Sequence, residues 1–355
     1  MQSNITTPLM RGTILAAGLS LLACLLAGAP AQAETKLPPV EEVLRDLKIT
    51  PDELQRVKGG AIVDRSIGEG SERELAISFI LLAKIKLEDA AKLYQEARGL
   101  QTVEAIKSIT KISEKGTLAD FEKAVLQPNP DKEAKRYLDA EPGSTLNLDE
   151  KEIAAFQALK SASKGKASVK EVEQLVRQGL LARLQAYQAK GLAGIAPYQR
   201  GRSAQLSAGD ELRLAAKQST YLAKYLPALY DVLINYPAGR EKAKKEKFGE
   251  SFYWFNIDLF ERPTFVLTHR MSMLADYAYV TVERHFYASH DYNSMQQIGV
   301  AMPTKDGTLL FYIGRVSTDQ VAGLTSAAAH PVARTVMAPY IKKMFESIRS
   351  RAEKK

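Results

Sequence analysis

Between residues 251 and 317 the chain runs through five strand-length segments separated by short turns, a pattern that dictates an antiparallel meander. The segments are 251–260, 263–273, 277–292, 296–302 and 308–317, and Asp306-Gly307 ahead of the last is a hairpin signal. The third segment carries the densest chemistry of the chain. Strict alternation puts Tyr277, Tyr279, Thr281, Glu283, His285, Tyr287, Ser289 and Asp291 on one face. Val280, Val282, Arg284, Phe286, His290 and Tyr292 take the other. A strand that lines up Glu, His, Tyr, Ser and Asp on one side is either a solvated edge or the wall of a polar-lined cavity.

The opposite end of the chain predicts export. Arg11 supplies a positive start, residues 12–28 are an apolar run, and Ala31-Gln32-Ala33 is a small-x-small cleavage site before Glu34. The run falls short of the roughly 20 residues of a membrane span. The expected location is the periplasm after cleavage behind Ala33. The alternatives are a lipoprotein anchored through Cys24, in Leu21-Leu22-Ala23-Cys24, and a buried first helix. Cys24 is the only cysteine, so cleavage leaves no disulfide, thiol chemistry or thiolate metal site, and cohesion must come from the core. The net charge of +8 is spread among acids, as in Arg240, Glu241, Lys242, Lys244, Lys245, Glu246 and Lys247. That pattern suits solubility or attraction to an anionic membrane surface, and speaks against nucleic acid.

Between these ends the chain divides by pattern. Residues 34–58 are a linker and a short helix, with Thr50-Pro51-Asp52-Glu53 as a helix start. Residues 59–117 show strand character at 61–67 and 73–84, an amphipathic helix at 87–98 and alternation again at 103–112. Residues 118–249 read as helical, with segments at 119–126, 132–138, 149–159, 169–189 and 209–225. A final helix at 331–351 is expected to bury Val332, Val336, Ile341, Met344, Phe345 and Ile348. No fixed-period repeat is visible, which argues against a solenoid.

The fold class expected from this order is α+β, an antiparallel sheet wrapped on a C-terminal helix, built from 59–117 and 250–351 with 118–249 as a helical insertion. In element order it resembles the START-like, or helix-grip, superfamily. Tyr287-Ala-Ser-His290 and Tyr312-Ile-Gly-Arg315 also resemble segments of exported bacterial proteins of uncharacterised function. The superfamily resemblance implies a hydrophobic ligand cavity between sheet and helix. It carries over no catalytic residue.

All four histidines, His269, His285, His290 and His330, fall in the last quarter of the chain. His285 and His290 are five apart on a strand and face opposite ways, so they share no ion. His269 could meet His285 across strands, with Glu283 or Asp291 completing a metal site, but no ligand spacing demands it. Ser289 and His285 lie roughly 13 Å apart by strand rise, too far for a nucleophile and its base. Glu283 could work with His285 as acid and base, or pair with Arg270, Arg284 or Arg315 to fix the sheet. No phosphate loop, haem or redox cysteine motif, or zinc helix is present.

Aromatic residues crowd the meander, which suits an amphipathic cavity as well as a plain core. The reading reached is a binding or carrier protein for a hydrophobic or amphipathic small molecule, with no cofactor, no metal and no catalytic residue assigned. Glu283, His285, Tyr287, His269 and Arg315 would supply polar contacts, and Trp254 and Phe286 apolar ones. The alternatives are an enzyme using Glu283 and His285, and a non-catalytic envelope scaffold presenting 118–248.

Overall fold

The computed structural model describes residues 40–95, 106–143, 145–258, 261–275, 277–323 and 326–353. The predicted export segment, the end of the 87–98 helix and the start of the 103–112 strand lie outside the described residues.

The chain begins with α1 (Val40–Asp46) and α2 (Pro51–Lys58). The Thr50 hydroxyl caps α2 by accepting from Glu53 N, and Glu53 Oε2 accepts from Thr50 N in return. Then follow β1 (Val63–Ser66), β2 (Glu74–Ala83), α3 (Leu87–Gln95) and β3 (Ile106–Lys111). The helical stretch holds α4 (Pro130–Leu138), α5 (Glu150–Ala162) and α6 (Val169–Lys190). It continues through a two-strand ribbon, β4 (Tyr198–Gln199) and β5 (Gln205–Leu206), to α7 (Ala208–Lys217) and α8 (Thr220–Tyr225). It closes with α9 (Pro227–Asn235) and α10 (Arg240–Ala243). The meander follows as β6 (Phe248–Asp258), β7 (Pro263–Ala275), β8 (Ala278–Ala288), β9 (Ser294–Thr304) and β10 (Gly307–Ser317). The last helix is α11 (Ser326–Ala352).

The architecture is α+β, with one large antiparallel sheet and several helices. Among the described residues the sheet has eight strands in the order β1-β2-β10-β9-β8-β7-β6-β3. The expected meander is all there, and Gly307 makes its last turn at φ 132, a conformation open to glycine. A Cβ at Gly307 would also stand 2.4 Å from Ala83 O on the neighbouring strand.

Both faces of the sheet are covered. The helical stretch 118–248 forms one layer, merging with Trp254, Phe265, Leu267, Val282, Phe286 and Phe311 in a single core. On the other face α3 and α11 pack on Phe79, Leu81, Leu310 and Tyr312. Phe345 of α11 lies 5.7 Å from the Phe79 ring and 5.5 Å from that of Tyr312. The buried stripe of α11 is Ala333, Met337, Ile341 and Phe345, at four-residue spacing, while Val332 stays 43% exposed. Of the expected stripe Ile341 and Phe345 are buried and Val336 and Met344 are partly buried against the core, Val332 is the correction, and the side chain of Ile348 lies outside the described residues.

Three further expectations change. The 209–225 helix is interrupted between Lys217 and Thr220, where Gln218 and Ser219 cap α7 and α8. The 119–126 helix is a single tight turn at Leu118–Phe121. Residues 227–235, inside the stretch read as helical but not singled out as a segment, form α9, whose Ala228, Leu229, Val232 and Leu233 are all buried.

Candidate functional site

The sheet carries polar side chains inward on both faces, and its register sorts them into two transverse rows. On the face towards the helical layer the row is Phe252, His269, Arg284, Gln296, Arg315 and Ala76. On the α11 face the adjacent row is Ser251, Arg270, Glu283, Gln297, Gly314 and Ile77.

The first row is anchored by long, cap-stabilised α6. The Ser168 hydroxyl caps its start, accepting from Glu171 N at 3.3 Å. Gly191 ends it at φ 57, where a Cβ would lie 1.8 Å from Tyr236 O, so the end of α9 can close in. Tyr187 of α6 is thereby packed between Phe286, stacked at 4.1 Å, and Tyr236, at 5.3 Å. His269 Nε2 faces Glu250 Oε2 at 3.1 Å, which places the ring proton there. Its Nδ1 then accepts from the Tyr187 hydroxyl at 3.0 Å. Arg284 donates Nη1 to Tyr187 Oη (3.3 Å) and Nη2 to Leu233 O (2.8 Å) and Gln296 Oε1 (3.1 Å). Arg240 pairs with the other Glu250 oxygen.

The electrostatics match this geometry. Burial holds His269 below its ordinary value, although Glu250 pulls the other way. Burial would raise Glu250, but the His269 hydrogen bond and the Arg240 and Lys244 charges outweigh it and hold the carboxyl low. Burial raises Tyr187, so its phenol stays protonated as the donor the chain requires.

The α11 face repeats the motif with different residues. Arg270 Nε donates to Glu283 Oε2 at 2.8 Å, and His285 Nε2 meets Glu283 Oε1 at 3.0 Å. His285 Nδ1 lies 2.7 Å from the Tyr292 hydroxyl. Burial pushes Tyr292 well above its ordinary value, so it remains a neutral phenol. The guanidinium of Arg270 lies over the rings of Tyr253, 4.6 Å from its centroid, and Phe255, at 5.5 Å. Arg270 is 1% exposed, yet its Nη1 and Nη2 find no hydrogen-bond partner among the described residues. The Thr268 hydroxyl, two residues along the same strand and face, is likewise buried and unpartnered.

The seven residues expected to line one cavity are therefore divided. Glu283 and His285 stand together on the α11 face. His269 and Arg315 sit in the other row, with Arg315 donating to Glu74 Oε2 and Gly68 O, both at 2.9 Å. Trp254 also faces the helical layer, where its Nε1 donates to Asp120 O at 2.7 Å. Phe286 and Tyr287 go the same way because of a β-bulge. Leu267 pairs with Tyr287 but Thr268 pairs with His285, leaving Phe286 as the extra residue.

That bulge overturns the strict alternation expected along 277–292. Tyr287 turns to the helices, where Arg183 lies over its ring at 4.3 Å. Ser289 accepts from Phe265 N at 3.0 Å. Tyr292, expected opposite His285, instead bonds it.

The metal idea also fails on geometry, since His269 and His285 occupy opposite faces. Every histidine instead has a carboxylate partner: Glu250, Glu283, Asp291 and Glu69 serve His269, His285, His290 and His330 in turn. Among the described residues no group of three or more His, Cys, Asp or Glu side chains could hold a metal ion. Arg270 entered the sequence reading only as a partner for Glu283, and Tyr187, Glu250 and Tyr292 were not singled out as site residues. An Arg on a strand otherwise rich in core residues, Phe265, Leu267, Met271 and Met273, was the available signal.

No protein-family model, curated protein or solved structure matches the chain.

Proposed function

We propose that the chain is a binding or carrier protein for a hydrophobic or amphipathic molecule held on the α11 face of the sheet. The observation that carries this is the buried Arg270 guanidinium with Nη1 and Nη2 unpartnered. A buried charged donor without an acceptor is costly, by several kcal/mol for a poorly compensated ion. A ligand that brings the acceptor turns that cost into affinity. The aromatic faces of Tyr253 and Phe255 beside it suit the apolar part of such a molecule.

The strand order supports a helix-grip, START-like arrangement as part of the same reading. The early strand β2 pairs with the last strand β10, β3 closes the opposite end beside β6, and α11 follows on one face. Export to the periplasm belongs to the proposal through the N-terminal pattern, and contact with an anionic membrane surface through the net charge of +8. Among the described residues no helix is long and apolar enough to cross a membrane.

The enzyme reading is weaker on this geometry. Both oxygens of Glu283 and both ring nitrogens of His285 are engaged within the protein. The groups with capacity to spare are donors and a hydroxyl, which hold a ligand rather than move a proton.

Mass spectrometry of organic extracts from natively purified, detergent-free protein tests the proposal. A stoichiometric lipid-like molecule is the expected result. An empty extract, together with failure of the protein to take up any lipid from a mixed extract, would sink it.

A further inference from the structure

Resting on that reading, we infer that the ligand presents a neutral carbonyl-type oxygen to Arg270, and that Glu283 makes the site reject carboxylates. The polar end would be an ester, ketone or amide, docked on Nη1 and Nη2 with the Thr268 hydroxyl alongside.

The charge balance of the row decides this. Arg270 contributes one positive charge and Glu283 one negative, joined at 2.8 Å. His285 adds none in the arrangement that satisfies its neighbours. The Tyr292 hydroxyl needs an acceptor for its proton, and His285 Nδ1 lies 2.7 Å away. If Nδ1 carried a proton, that phenol hydrogen would lose the acceptor this geometry gives it. The cluster is therefore neutral as it stands. A carboxylate ligand would add a second negative charge beside Glu283, in a region where Arg270 and His285 are at most 1% exposed. A carbonyl oxygen takes the same two donors without that repulsion. The guanidinium offers them as a planar edge, because Nε is already directed to Glu283.

The helical-layer row holds an arginine whose Nη atoms are both used, although its Nε has no partner among the described residues. Arg284 uses both Nη atoms on protein acceptors, Tyr187 Oη, Leu233 O and Gln296 Oε1. Arg270 has the same burial and none of those partners.

The test is a competition. The purified protein is incubated with an equimolar mixture of methyl dodecanoate, sodium dodecanoate and tridecane, gel-filtered, and the retained molecules are quantified by gas chromatography. The ester should be retained over both others, by roughly tenfold or more for a hydrogen bond to a charged donor. In Glu283→Gln, which leaves Arg270 as a net positive charge, the preference should pass to dodecanoate. The charge-balanced double variant, Arg270→Met with Glu283→Gln, should lose the ester's advantage over tridecane. Retention of none of the three by the wild-type protein would overturn the carrier reading and the inference with it. Equal retention of tridecane and ester would overturn the inference and leave the carrier reading standing. Preferential retention of dodecanoate by the wild-type protein would overturn it in favour of an anionic ligand.

Discussion

Two carboxylate–histidine–tyrosine chains lie back to back in this sheet, and they end differently. Glu250–His269–Tyr187 runs between β6, β7 and α6, and is closed at both ends by arginines, Arg240 and Arg284. Glu283–His285–Tyr292 lies within and just beyond β8, and the arginine at its head, Arg270, keeps two donor nitrogens in hand. The first chain bonds groups on three separate elements, so it acts as a clamp that holds the helical layer on the sheet. The second spans little sequence and clamps nothing new. The difference teaches that residue types alone do not say what a buried polar network is for; what separates these two is whether the arginine's Nη atoms are used within the protein.

The comparison is broken most forcefully at the clamp. Arg284→Met would leave Tyr187 Oη, Leu233 O and Gln296 Oε1 short of a donor in the interior. A loss of about 3–5 kcal/mol is expected, read as the denaturant midpoint and slope. A variant with unchanged stability would show that the clamp description is wrong.

Next comes a second contact between the helical layer and the sheet. Glu211 of α7 accepts from the Ser294 hydroxyl at 3.2 Å, and burial raises its carboxyl from an ordinary 4.5 to about 7. The folded protein thus binds this proton more tightly than the unfolded chain. Its contribution to stability is complete below about pH 4.5 and is lost as pH rises through about 7. The shift corresponds to at most about 3 kcal/mol. Glu211→Gln should therefore flatten stability between pH 4.5 and 7 and gain most at pH 8. Parallel stability–pH curves for variant and wild type would contradict the assignment.

Tyr187→Phe is the finer probe of the clamp. It removes the hydroxyl that accepts from Arg284 and donates to His269, while the ring stays stacked on Phe286. The expected cost is about 1–3 kcal/mol, with the ester preference proposed for the opposite face unchanged. A change in bound ligand would show that the two faces are coupled.

How much of this was legible in the sequence depends on the range of the interaction. The meander was readable because alternation and short turns are local. Helix α9 was not singled out, because it is only nine residues long and its less buried side mixes Tyr230 and Ile234 with Asp231 and Asn235, which blurs its period. The site was half readable. Glu283 and His285 are two apart on a strand and share a face in any register. Beyond them the bulge at Phe286 moved Tyr287 and Ser289 to the helices and brought Tyr292 to His285, and that shift depends on how β7 pairs with β8. His269 and Arg315 were misplaced into one cavity with Glu283 because cross-strand register is not encoded locally.

The smallest stability effect is expected where the functional effect is largest. Replacing Arg270 by Met and Glu283 by Gln together removes a buried pair without leaving a lone charge. Exchanges of that kind are often neutral or stabilising, because desolvating two ions offsets their attraction. The Nη1 and Nη2 atoms of Arg270 have no protein partners to lose, so nothing else in the interior is orphaned on their account. Glu283 does leave His285 Nε2 facing an amide oxygen in place of a carboxylate, a modest change. The denaturation midpoint should therefore hold or rise, in contrast to Arg284→Met on the opposite face. A fall of the same size in both variants would mean that the α11 row is also a structural clamp, and the distinction between the two chains would disappear.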